Sequence, residues 1–161
     1  MQLVFQAIYL LNKIISLMVA FLSAVTVVVV FSQVFFRFVL EEPLVWSEEI
    51  AIFCLVWITF LGASLAARNR ALIGVEALIR KFSGTARLRF EILIQILSAI
   101  FFIVLIVYGV QTAILVAGQR AAATGISMAW VYAAVPVGGL LMLINSLAWL
   151  ADYTKEAKRM G

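Results

Sequence analysis

The sequence predicts an all-α integral membrane protein with four transmembrane helices, and three observations predict it. Of 161 residues, 66% are hydrophobic and only 12% are charged, whereas soluble domains keep roughly a quarter of their residues charged. The apolar residues gather into four long runs, each near the ~20 residues that cross a bilayer. The basic residues fall between those runs, where they report topology rather than nucleic-acid binding. The length allows one domain, 1–161.

The first span covers about residues 14–36, between Lys13 and Arg37. It is too long for the apolar core of a cleaved signal and lacks a small-residue cleavage site, so it should remain as an anchor. Residues 1–11 are apolar too; they either lie along the inner interface or lengthen this helix. The second span covers about 48–67. Ser47 is placed to cap it, and Glu48 and Glu49 would face its positive dipole end. The alternative is a pair with Arg37 or an acidic patch for a basic partner. The third span covers about 90–117 and the fourth about 129–151. Pro136 stands near the outer end of the fourth and should kink it, with Gly138 and Gly139 beside it.

Between the second and third spans, Leu72, Val75, Leu78, Ile79 and Phe82 recur at helical spacing, with Glu76 and Arg80 on the other face. That pattern predicts a short interfacial amphipathic helix over about 71–82, with an extension of a neighbouring span as the alternative. The middle loop and the two termini together hold ten of the twelve Lys and Arg residues. Both termini and the middle loop are therefore expected on the cytoplasmic side. Trp46, Trp130 and Tyr132 fall near outer span ends, and Trp149 and Tyr153 near an inner one, as interfacial anchors do.

Chemistry is sparse. There is no histidine, and the lone cysteine, Cys54, sits in an apolar run. No nucleophile–base pair, paired-carboxylate site, metal-ligand set or phosphate loop stands out, so an enzyme is not expected, nor a cofactor. Ion-coupled transporters carry ionisable groups or broken helix pairs near the midplane. The central parts of the four spans hold no Asp, Glu, Lys, Arg or His. A complete transport site is therefore not expected in this chain. The amides and hydroxyls Gln33, Thr59, Gln95, Gln111 and Asn145 could bond within the bundle or to a partner. Small residues at Gly62 and Ala66, at Gly109, Ala113 and Ala117, and at Ala134 and Gly138 permit close helix packing.

A set of residues in order then resembles a known family. Arg37, Pro43-Leu44, Trp46-Ser47-Glu48-Glu49, Val56-Trp57, Phe60-Leu61-Gly62-Ala63 and Arg68 resemble the signature half of the small, DctQ-type membrane subunit of tripartite ATP-independent periplasmic (TRAP) transporters. Ile73-Gly74-Val75-Glu76, Gly125-Ile126-Ser127-Met128, Val131-Tyr132, Pro136 and Gly138 continue it. Leu72 stands where the family often has histidine, and Ser127 where proline is common.

The resemblance implies a bacterial inner-membrane heterodimer with a large permease subunit. That subunit would hold the substrate and sodium sites and work as an elevator. A periplasmic binding protein would deliver an organic acid, of the C4-dicarboxylate or sialic acid type. The small subunit would serve as scaffold for this symport. Membrane lipid is the other partner, and nucleic acid is not one. The candidate structural or partner-contact residues are Arg37, Trp46, Glu48, Glu49, Trp57, Gly62, Arg68, Tyr132, Pro136 and Gly138. A self-sufficient homo-oligomeric exporter and a membrane anchor of another complex remain as alternatives. The exporter should carry a midplane acid, and the anchor would lack the pattern from Trp46 to Arg68.

Overall fold

The computed structural model describes residues 2–68 and 84–160. The interfacial helix expected over 71–82 lies outside the described residues. Helix α1 runs Gln2–Val39, α2 Val45–Arg68, α3 Gly84–Leu115, α4 Met128–Tyr132 and α5 Ala134–Met160. Four stretches are long and apolar enough to cross a membrane: Gln6–Val39, Val45–Arg68, Phe90–Leu115 and Met128–Ala148. Helices satisfy their own backbone groups, which hydrocarbon cannot do for them.

The two readings of the N-terminus are resolved: α1 is continuous from Gln2, so residues 2–11 lengthen the first helix. It ends at Val39, and two residues on Glu41, at φ 56°, turns the chain, while the Glu42 N–H donates to the Phe36 carbonyl at 3.2 Å. A left-handed residue commonly ends a helix in this way.

The spans form a row rather than a closed bundle. Helix α1 packs on α2, α2 on α5, and α5 on α3; among the described residues α3 touches neither α1 nor α2. Burial follows that order. In the most apolar stretch of the fourth span, 44% of residues are buried, against 6% in that of the first. Helix α5 is thus an inner member of the row, and α1 and α3 are its edges.

Close approach of α5 to its neighbours depends on missing side chains. A Cβ on Gly138 would lie 2.6 Å from the Phe60 Cβ of α2. One on Gly109 of α3 would lie 2.8 Å from the Pro136 Cδ. The proline ring therefore sits against bare backbone.

The fourth span is divided, which a single helix over 129–151 did not anticipate. Pro136 has no N–H to give the Tyr132 carbonyl, and the helix breaks at Ala133 between α4 and α5. Ala133 N still donates to Ala129 O at 2.8 Å and Val137 N to Ala133 O at 3.2 Å, so the chain continues with a break rather than a loop. Ser127 opens α4 as its N-cap, accepting from Ala129 N.

Candidate partner-binding framework

What could a chain without a midplane charge contribute? The polar groups of the described residues give one answer: they join all four spans near the termini and fasten α2 to the fourth span at the opposite end.

At the end opposite the termini, Glu49 in the first turns of α2 reaches the loop between α3 and α4. Its carboxylate accepts from Ala123 N at 2.9 Å, from Thr124 N at 2.8 Å and from Thr124 Oγ1 at 2.8 Å. A carboxylate bonded by two backbone N–H groups and a hydroxyl makes a charge-assisted clasp, stronger than neutral bonds. The loop is itself ordered. Ala121 N donates to Ile126 O at 2.9 Å and Met128 N to Gln119 O at 3.0 Å. Arg120 Nη1 donates to Gly125 O at 3.1 Å, with Gly125 at φ 68°, and Ser127 Oγ donates to Ala117 O at 2.9 Å. Two turns along α2 from Glu49, Trp57 Nε1 donates to the Trp130 carbonyl of α4 at 3.2 Å. Glu49 and Trp57 together fasten α2 to the loop and α4.

At the end carrying the termini, Asn145 of α5 is fully buried. Its Nδ2 donates to Asn12 Oδ1 of α1 at 2.9 Å and to Ser64 O of α2 at 2.9 Å, and its Oδ1 accepts from Asn12 Nδ2 at 2.8 Å. One amide thereby joins three helices. The next residue, Ser146, faces the other flank of α5, where its carbonyl accepts from Gln95 Nε2 of α3 at 2.9 Å and its hydroxyl bonds the same nitrogen. Consecutive residues lie about 100° apart around a helix, so α5 ties α1 and α2 on one flank and α3 on the other.

The ten residues singled out in the sequence separate on this geometry. Glu49, Trp57, Pro136 and Gly138 make the contacts just described. Two expectations and one alternative are corrected. Ser47 is not the N-cap of α2: the helix already begins at Val45, and the buried Ser47 hydroxyl donates to Leu44 O at 2.6 Å. Arg37 does not pair with Glu48 or Glu49. It stands at the last turn of α1, with its guanidinium carbon 5.7 Å from the Phe38 ring centroid. Gly62 is not a close-packing position within the chain, because a Cβ there would meet nothing within 4 Å.

Glu48 is exposed beside a shallow depression that it lines with Val45, Glu49, Ile52, Ala122 and Ala123. Trp46, Trp130 and Tyr132 are exposed at the same end. Arg68 is the last residue of α2. Gln33 and Gln111 make no hydrogen bond among the described residues, and the Thr59 hydroxyl returns to its own helix at Leu55 O, 2.8 Å. No group of three or more His, Cys, Asp or Glu side chains able to hold a metal occurs among the described residues.

Sequence reasoning missed Asn12, which stands between the apolar residues 1–11 and Lys13. Its signal was present: an amide directly before a lysine, inside a longer apolar segment.

A row of membrane-spanning helices joined by polar contacts near both ends of its spans defines an integral membrane protein of the all-helical class. Comparison with known proteins gives it a family. The DctQ component of tripartite ATP-independent periplasmic transporters matches residues 26–155. The chain belongs to this family: it is a small transporter subunit of the inner membrane, and not an enzyme.

Among curated relatives, it is 31% identical over 124 residues to the sialic acid TRAP transporter permease protein SiaT of Haemophilus influenzae, a match over 73% of this chain and 19% of that protein. It therefore spans about a fifth of that relative. It is 27% identical over 146 residues to the sialic acid TRAP transporter small permease protein SiaQ of Vibrio cholerae, covering 91% of this chain and 84% of that one. A putative TRAP transporter small permease protein of Haemophilus influenzae is 25% identical over 145 residues, covering 86% and 87%.

Proposed function

We propose that this chain is the stationary scaffold subunit of a sodium-coupled TRAP transporter for an organic acid. It would pair with a large permease subunit that carries the substrate and sodium sites. A periplasmic binding protein would deliver the substrate. Sialic acid is the favoured substrate class, with C4-dicarboxylates second, because two of the relatives are named for sialic acid. Both termini face the cytoplasm, in keeping with the excess of Lys and Arg on that side.

The observation that carries the reading is the row itself. The four spans are joined near the termini by Asn12, Asn145 and Gln95, and at the opposite end α2 is fastened to the fourth span by Glu49 and Trp57, so they cannot slide past one another without breaking those bonds. An element of that kind suits a fixed reference against which another subunit moves. The SiaT relative supports the pairing, since its matching segment is part of a single permease about five times longer than the match.

The test is a mild-detergent pull-down of the tagged chain from its native host, followed by uptake in vesicles with the binding protein. A stoichiometric large membrane subunit, with sodium-dependent uptake of sialic acid, is the expected result. Recovery of the chain alone as a stable homo-oligomer would overturn the scaffold reading.

A further inference from the structure

The Asn145 node fixes how deep α1 stands relative to its neighbours, and at that depth α1 differs from all of them. Measured from the node toward the end carrying the termini, α2 reaches Arg68 four residues past Ser64, about 6 Å along the helix. Helix α3 reaches Glu91 four residues past Gln95, again about 6 Å. Helix α5 reaches Asp152 seven residues past Asn145, about 10 Å. Glu91 is buried within the row, so Arg68 and Asp152 are the charges taken to mark where hydrocarbon gives way to headgroups. Helix α1 instead has its charge, Lys13, at the node, next to Asn12. It then continues uncharged to Gln2, about 15 Å further.

Lys13 is exposed, so it faces away from the row. One turn nearer the termini, Tyr9 and Leu10 are also exposed, at 70% and 57%. Side chains on a helix lean toward its N-terminus. In α1 that direction is toward the charged belt of the neighbouring helices. A lysine set about 6–10 Å inside the hydrocarbon boundary and leaning outward is placed to lay its alkyl stem along the helix and bring its ammonium to the headgroups. The tyrosine one turn on lies at the depth where amphipathic rings settle.

We propose that Lys13 and Tyr9 form a binding position for an anionic phospholipid, and that the N-terminal turns of α1 lie within the headgroup layer rather than in water or under another protein. The lipid phosphate would take the Lys13 ammonium, with the phenol of Tyr9 as second donor. The occupant follows from charge and depth: a cation on the outward flank of an edge helix, level with hydrocarbon and aimed at the interface. This inference holds whatever the transported substrate is.

The test uses the full chain in nanodiscs of phosphatidylglycerol or phosphatidylcholine. A nitroxide on Leu10→Cys, in a Cys54→Ala background, leaves Lys13 and Tyr9 intact, and Leu17→Cys gives the hydrocarbon reference. The label at 10 should collide with oxygen and with a water-soluble nickel complex to comparable extents, while that at 17 meets oxygen severalfold more. Native mass spectrometry should show phosphatidylglycerol retained at least threefold over phosphatidylcholine. Lys13→Gln should abolish that preference and Lys13→Arg should keep it. Three results would overturn the proposal: a label at 10 open only to nickel, a label shielded from both by protein, or a lipid preference unchanged in Lys13→Gln.

Discussion

Helices α1 and α5 do opposite work with similar residues. Both are mostly apolar, yet α5 starts after the break at Ala133 and belongs to a span with 44% of its most apolar stretch buried, while α1 is continuous over 38 residues with 6% of its stretch buried. Hydropathy does not separate them, since the more apolar of the two is the more exposed. Inside a bilayer a lipid-facing leucine and a buried one are equally content, so the internal fit depends on small and polar residues. Helix α5 has Gly138, Gly139, Asn145 and Ser146 at its contacts. Over most of its length α1 has large apolar side chains turned outward.

This contrast can be broken on either side. The largest effect is expected at Gly138, where any side chain must displace Phe60. Gly138→Val should cost about 3 kcal/mol or more by overpacking, seen as loss of the folded chain on size exclusion or a much lower melting temperature in mild detergent. Next comes Asn145→Leu, which removes a partner from Asn12 and from the Ser64 carbonyl together. Single interhelical bonds in membranes contribute about 0.6–2 kcal/mol, so a loss near the upper figure is expected in the same melt. The smallest effect belongs to Leu17 on the open flank of α1, which is 73% exposed. Leu17→Ala should change stability by less than about 0.5 kcal/mol. A large loss there would mean that α1 has an inward face the row does not show.

The four spans were legible because each is an apolar run bounded by charge, and that signal needs no knowledge of packing. Their order in the row was not, because helices apolar on all sides carry no 3.6-residue stripe pointing at a neighbour. Pro136 was legible as a disturbance; its consequence, a separate α4 capped by Ser127, needed the structure. Glu49 was legible as an acid at a helix start, and local rules assigned it to its own helix dipole. Its actual partners, Ala123 and Thr124, lie more than seventy residues away, beyond any local rule. Ser47 and Gly62 failed for the converse reason: a capping residue type and a small-residue spacing are both common without the contact they permit.

The row also dictates an order of assembly. As the chain leaves the ribosome, α1 and α2 can pair at once, since they are neighbours in sequence and in space. Helix α3 cannot: its neighbour in the membrane, α5, has not yet been made. At about 5–20 residues per second the 33 residues from Leu115 to Ala148 take roughly 2–7 s. For that interval α3 waits in the membrane without the helix that it packs on among the described residues, and the last span to arrive must wedge between two helices already inserted.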